Sequence, residues 1–439
     1  MAKAKSKMGL VQLTLLTAVN MMGSGIIMLP AKLAEVGTLS VFSWLVTAAG
    51  AMALAYAFAK CGMYSRKPGG MGGYAEYTFG KSGHFMANYT YAISLLIANI
   101  AIAISAVGYG SALLGITLSP LAISLAALMV LWLASAANFA GARITGHIGG
   151  IALWGVIIPV AGITFVGWFY FSGATYAAAW NPHQLSFLDG LGSSIAMTLW
   201  AFLGLESACA NMDAVENPER NVPIAVMGGT LGAAVIYIVS TNVIAGIVPN
   251  AVLAGSTAPF GLAFAAMFSP AVGNIIMALM IMSCAGSLMG WQFTLAQVLK
   301  SSSEAGYFPR VFSRVNGAGA PVWGIVIIAS VQTLLAMMTI SPSLSQQFNV
   351  LVNLAVVTNI IPYILSMAAT VMILKTAGLA AGKAFFTNVI AYLGALYSFY
   401  ALYSAGAEAM MWGALVTFLG FAFYGVISPR FDMPEAKPD

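Results

Sequence analysis

Charge is what this chain most lacks. Of its 439 residues only 7% are Asp, Glu, Lys or Arg, against 60% hydrophobic. Soluble domains carry about 25% charged and about 45–50% apolar residues. The balance excludes an ordinary soluble domain and reads as a polytopic membrane protein. Cysteine is scarce as well. Cys61, Cys209 and Cys284 are an odd set without metal-ligand spacing, which argues against a disulfide framework and against a zinc site. Each falls in or at the end of an apolar segment, where packing is the default role. His84, His147 and His183 are scattered near segment ends and form no metal set. No HExxH, nucleophile elbow, P-loop or dinucleotide fingerprint is present. Neither an enzyme nor a cofactor is expected, and the chain carries no recognisable ATP site of its own. No cleavable signal peptide is evident: Lys3, Lys5 and Lys7 lead into a long apolar stretch with no small-residue cleavage site.

What is present is a series of apolar runs of spanning length. Twelve can be read, at about 10–34, 41–63, 84–113, 120–140, 148–171, 189–212, 222–248, 273–300, 321–340, 348–375, 384–404 and 408–427. The net charge of +5 sits in the loops between them. That is a topology signal rather than a nucleic-acid footprint, so no nucleic-acid partner is expected. With a cytoplasmic N-terminus, sixteen Lys and Arg fall on the cytoplasmic side and only Lys32 falls opposite. The expectation is a multi-pass membrane protein with tails 1–9 and 428–439 both cytoplasmic.

Two of the runs are interrupted. The first contains Met22-Gly-Ser-Gly-Ile26, and the sixth breaks near Gly204. Glycine weakens a helix interior by about 1 kcal/mol. Paired broken segments in two halves of a chain point to a transporter built from inverted repeats. The expected fold is all-α, with twelve transmembrane helices. Five plus five form an inverted repeat, residues 10–171 and 189–375, with helices 1 and 6 discontinuous. Helices 11 and 12, residues 384–427, lie outside it.

The chemistry centres on Trp200-Ala-Phe-Leu-Gly-Leu-Glu-Ser207. Glu206 is the one acid set deep in an apolar run. Placing a charge at a bilayer midplane costs roughly 2.5–3.5 kcal/mol on insertion scales. No Lys or Arg lies at comparable depth, so the expected partner is a cationic solute. A protonated Glu bonded to a neighbouring helix is the structural alternative. The Gly23-Ser24-Gly25 break is expected to expose backbone N–H groups at the start of a half-helix, an end that favours anions such as a carboxylate. Trp200 and Trp291 lie within spans, where a ring face can hold an ammonium or simply fill space. Tyr91 and Asn99, eight residues apart, share one helix face; Asn99 can bond a helix or the solute. The stretch 64–80 is read as a compact glycine-rich loop, with Glu76 meeting a cation or pairing with Lys81. The stretch 249–272, with three prolines and no Lys or Arg, is read as an external loop.

The segments Asn20-Met-Met-Gly-Ser-Gly-Ile-Ile-Met-Leu-Pro30, Gly69-Gly-Met-Gly-Gly-Tyr-Ala-Glu-Tyr77, Trp200 to Cys209 and Glu216-Asn-Pro-Glu-Arg-Asn-Val-Pro-Ile224 resemble the basic amino acid/polyamine antiporters of the amino acid–polyamine–organocation superfamily. The resemblance runs from Lys7 to Arg430, and within the family it is nearest to the branch that exchanges putrescine for ornithine. It implies alternating access across the inner membrane and exchange of a decarboxylation product for its parent amino acid. It implies a substrate site of Gly23, Ser24, Gly25, Ile26, Tyr91, Asn99, Trp200, Leu203, Glu206 and Trp291. Cys61, Glu76, Cys209, Cys284, Lys300, Tyr307 and Tyr424 are a second tier, as gates or accessory positions. Protons are a further candidate solute, lipid is the surroundings, and the family often forms homodimers.

Two other readings stay open, and a third, from a different class, is disfavoured. The same framework serves lysine–cadaverine and arginine–agmatine exchange, and one methylene is worth only about 1–3 kcal/mol of discrimination. A proton-coupled polyamine or amino acid uptake carrier without exchange would have Glu206 titrate during its cycle. A receptor or scaffold would need an extramembrane domain, and the longest loop, about twenty-five residues, is too short for one.

Overall fold

A computed structural model describes residues 9–206 and 216–429. The described residues are helical, with short turns between the helices. The first half holds α1 (Leu10–Gly25), α2 (Leu29–Ala34), α3 (Val41–Tyr64), α4 (Met71–Leu114), α5 (Pro120–Ala137), α6 (Ala142–Ala152), α7 (Trp154–Val166) and α8 (Gly173–Ala178). There follow α9 (Phe187–Trp200), α10 (Pro218–Ile247), α11 (Asn250–Ala254), α12 (Pro259–Met267) and α13 (Pro270–Glu304). The last four are α14 (Val322–Met338), α15 (Leu344–Thr376), α16 (Ala381–Ser404) and α17 (Ala407–Ile427). Among the described residues nine helical stretches are long and apolar enough to cross a membrane. The shorter α14 and the two interrupted segments complete the twelve runs of the sequence. The protein is an all-α multi-pass membrane protein.

The helices begin where local chemistry allows. Pro120, Pro218, Pro259 and Pro270 each open a helix, where the missing N–H has no partner to lose. Ser119, Ser186, Ser269 and Ser343 accept a backbone N–H at four starts, the preferred N-cap chemistry. Gly115 ends α4 in the left-handed conformation.

α4 and α15 pack along each other at the centre. α17 lies outermost and presents Phe418, Phe421, Phe423 and Val426 outward, as a lipid-facing helix does. A buried amide cluster joins the scaffold beside this centre. Gln292 of α13 accepts from Asn99 of α4 at 2.6 Å, donates to Ser135 of α5 at 2.9 Å, and meets Gln332 of α14 at 2.8 Å.

Three expectations need adjustment. The stretch 64–80 is not a loop throughout: helix starts again at Met71 and runs to a kink at Gly80, φ 62° and ψ −154°. The arm Met71–Phe79 thus precedes the span proper. A 44-residue helix at about 1.5 Å per residue far exceeds a hydrocarbon core of about 30 Å. The stretch 249–272, expected as an external loop, is largely helical, as α11 and α12, with α12 buried against α13 and α2. Most important, the first span does not break at Gly23-Ser24-Gly25. Helix α1 continues through Gly25, and the interruption is Ile26–Met28.

The reason lies in packing. A Cβ on Gly25 would stand 2.9 Å from the Ala201 Cα, so glycine here serves close approach to the second interruption rather than unwinding. In that second interruption α9 ends at Trp200, and Phe202, Leu203 and Leu205 donate to residues three back instead of four. Gly204 then takes φ 107°, a conformation glycine accepts freely. The two breaks therefore touch, backbone to backbone. Tyr109 of α4 donates to the Ile27 carbonyl at 3.0 Å, satisfying one carbonyl left by the first break.

Candidate functional site

Where the two breaks meet lies a small cavity of about 30 Å³, room for one or two water molecules. Met21 and Gly25 of α1, Tyr91 and Ser94 of α4, Trp200 of α9, Leu203, Gly204 and Glu206 of the second break, Trp291 of α13 and Asn359 of α15 contribute to its wall. No Lys or Arg lines it among the described residues.

Glu206 is buried, 7% exposed, and held by three donors. The Tyr91 hydroxyl donates to Oε1 at 2.9 Å, the Tyr363 hydroxyl to Oε2 at 2.5 Å, and the Gly204 amide to Oε2 at 3.1 Å. Each donor lies on a different element: α4, α15 and the break itself. Such bonds suit a carboxylate kept away from water without a basic partner.

The helix ends act in the same sense. α1 and α9 both finish at the cavity, at Gly25 and Trp200. A helix C-terminus carries unpaired carbonyls and a negative partial charge. Gly23 and Ser24 form the last turn of α1, so the expected N–H-rich end at these residues is replaced by a carbonyl-rich one. The cavity is consequently shaped for a cation.

The expected site residues divide. Gly25, Tyr91, Trp200, Leu203, Glu206 and Trp291 are brought together around the cavity. Gly23 and Ser24 lie next to it in the chain. Ile26 is fully buried and not in the wall. Asn99 is turned away, into the amide cluster of Gln292.

The second-tier residues lie elsewhere. Cys61 packs between α3 and α15, its Sγ 3.4 Å from the Thr370 hydroxyl, and Cys284 is buried in α13. Glu76 sits on the arm before the Gly80 kink, outside the spans. Lys67 and Lys81 reach its Oε1 at 3.0 and 3.1 Å, and His84 Nδ1 its Oε2 at 2.8 Å. Burial alone would raise its carboxyl, but these neighbours prevail and hold it down at about 2. Lys300 pairs with Glu304 at 3.6 Å. Tyr307 stacks on His84 with centroids 4.5 Å apart, and Tyr424 packs against Phe85 at 5.6 Å. Cys209 lies outside the described residues.

Sequence reasoning missed Tyr363, Asn359 and Ser94. A signal existed for the first two. They are polar, four apart, and lie within one apolar run, the same pattern that singled out Tyr91 and Asn99.

Comparison with known proteins bears on the same stretch of chain. A family model described as amino acid permease matches residues 8–419. The chain is 71% identical over 434 residues to the putrescine transporter PotE of Escherichia coli K12, covering 99% of each protein. It is 65% identical to the putrescine transporter PotE of Haemophilus influenzae, covering 99% of this chain and 100% of that one. A cadaverine/lysine antiporter of Escherichia coli K12 is 32% identical, over 97% of this chain and 95% of that one.

Proposed function

The chain belongs to the amino acid permease family, and on that premise we propose that it carries putrescine across the bacterial inner membrane, exchanging it for ornithine by alternating access. The observation that carries this reading is Glu206: a buried acid at a cavity without Lys or Arg among the described residues of its wall, where two helix C-termini converge. Both solutes present a primary ammonium at the end of an alkyl chain. Putrescine is ornithine without its carboxylate, so one ammonium site serves both. Glu206 draws the ammonium in, and the Trp200 and Trp291 faces hold its methylenes and charge. Relatives at 65–71% identity that are named as putrescine transporters support the diamine.

The organisation proposed is 10–171 for one repeat and 189–375 for the other, with 384–427 outside and both termini cytoplasmic. Lys32 is then the single basic residue on the outer side. Protons are proposed as a second coupled solute in uptake, and a homodimer as the assembly.

Counterflow in proteoliposomes tests the reading. Labelled putrescine should enter vesicles loaded with ornithine and not empty ones, and Glu206→Gln should abolish entry. Equal entry into empty vesicles driven by a pH gradient would replace exchange with proton-coupled uptake. Preference for lysine- or arginine-loaded vesicles would move the assignment to cadaverine or agmatine exchange.

A further inference from the structure

Glu206 cannot satisfy an ammonium alone. A carboxylate has about four lone-pair positions, and three are already taken by Tyr91, Tyr363 and the Gly204 amide. A primary ammonium brings three N–H donors. Two or more further acceptors are needed in the same wall.

The cavity supplies two polar side chains besides the tyrosine, the tryptophans and the acid: Ser94 and Asn359. The Ser94 hydroxyl donates to the Ala355 carbonyl at 2.8 Å, which leaves its lone pairs to accept. Asn359 is 1% exposed, and its Nδ2 makes no hydrogen bond. One turn on, the Tyr363 hydroxyl donates to Glu206 and keeps lone pairs toward the Asn359 amide, outside hydrogen-bonding geometry. A buried amide without a partner is unfavourable unless something else satisfies it.

We propose that Asn359 is a substrate-contacting residue whose buried amide completes, with Ser94 and Glu206, the pole of the cavity that receives a primary alkylammonium. Of the two amide atoms only Nδ2 is sealed off, so Oδ1 is open to the cavity without rotation. Oδ1 then accepts from the ammonium. The inference rests on the putrescine reading above and adds a residue on α15 to a site otherwise formed by α1, α4, α9, the second break and α13.

The structural alternative makes an opposite forecast. An amide that holds helices together would be missed when replaced, whereas an unpartnered one would not. The test is thermal unfolding of the full-length purified transporter with and without putrescine. Variants Asn359→Leu and Asn359→Asp are compared with wild type, affinity being read from the ligand-dependent shift. Asn359→Leu should unfold at the wild-type temperature or above without ligand, and bind putrescine roughly ten- to a hundredfold more weakly, the worth of one charge-assisted hydrogen bond. Asn359→Asp, which keeps the acceptor, should retain the shift. A wild-type shift in Asn359→Leu, a lowered unliganded temperature or loss of folding in that variant, or loss of the shift in Asn359→Asp would each overturn the assignment. No shift in wild type itself would instead remove the putrescine reading, and this inference with it.

Discussion

The Tyr363 hydroxyl donates to Glu206 Oε2 across 2.5 Å, tying α15 to the interruption that follows α9. Tyr91 does the same from α4 at 2.9 Å. Hydrogen bonds to a charged acceptor are worth about 1.5–3 kcal/mol. Tyr363→Phe should therefore lower the unfolding temperature measurably, and Tyr91→Phe by a similar or smaller amount, since both leave the ring packing intact. An unchanged unfolding temperature in both variants would show that Glu206 does not depend on these donors.

At the opposite end of the first span, Lys32 is buried, its side chain 2% exposed, and reaches Glu35 Oε1 at 2.8 Å. It also contacts the Ser345 hydroxyl, which itself donates to Glu35 at 3.0 Å. The cluster joins α2 to the start of α15. Breaking a fully buried pair costs about 3–5 kcal/mol. Glu35 is 39% exposed, so water screens the pair, and Glu35→Gln should cost roughly 1–3 kcal/mol. Lys32→Met should cost less, because it removes the buried charge instead of stranding it. Denaturation of both variants beside wild type checks the order, and the reverse order would contradict it.

Much of this architecture is legible in the chain. The twelve apolar runs correspond to α1 with α2, to α3, α4 and α5, to α6 with α7, to α9, α10 and α13, and to α14 through α17, because hydrophobic length is a local property. What is not local was misplaced. Gly25 reads as a helix breaker, but its role is contact with Ala201, some 180 residues away. Asn99 and Tyr91 share a stripe of α4, but Gln292 captures the first and Glu206 the second. Only the packing of α13 and α15 against α4 decides which. Tyr363 escaped notice for the same reason: nothing within its own run says that it faces an acid on another helix.

Glu76 should show itself in the acid range. Its carboxyl is held at about 2 by Lys67, His84 and Lys81, against burial, below an ordinary value of 4.5. A depressed folded-state pKa adds stability that is fully present above the ordinary value and is lost as pH falls through the folded one. The stability difference between wild type and Glu76→Gln should thus be constant near neutrality and shrink from about pH 4.5 toward about pH 2. Unfolding midpoints of the two proteins followed down in pH decide it: a difference that stays constant means the carboxylate gains nothing from its neighbours.

The contact between the two breaks makes the sharpest demand on a single atom. A Cβ at residue 25 would lie 2.9 Å from the Ala201 Cα and 3.3 Å from its carbonyl oxygen. Both are backbone atoms, which cannot turn aside as a side chain would. Gly25→Ala must therefore separate α1 from the end of α9, and overpacking of this kind costs about 1–3 kcal/mol. Alanine favours a helix over glycine by about 1 kcal/mol, so a purely local view forecasts stabilisation instead, and the sign of the change separates the two. Adding Ala201→Gly should not rescue the variant, because the clash is with atoms that every residue shares. Rescue by Ala201→Gly, or a more stable Gly25→Ala, would show that the breaks do not need to touch. Transport in Gly25→Ala should fall together with stability, since the displaced helix ends are those that bound the cavity beside Glu206.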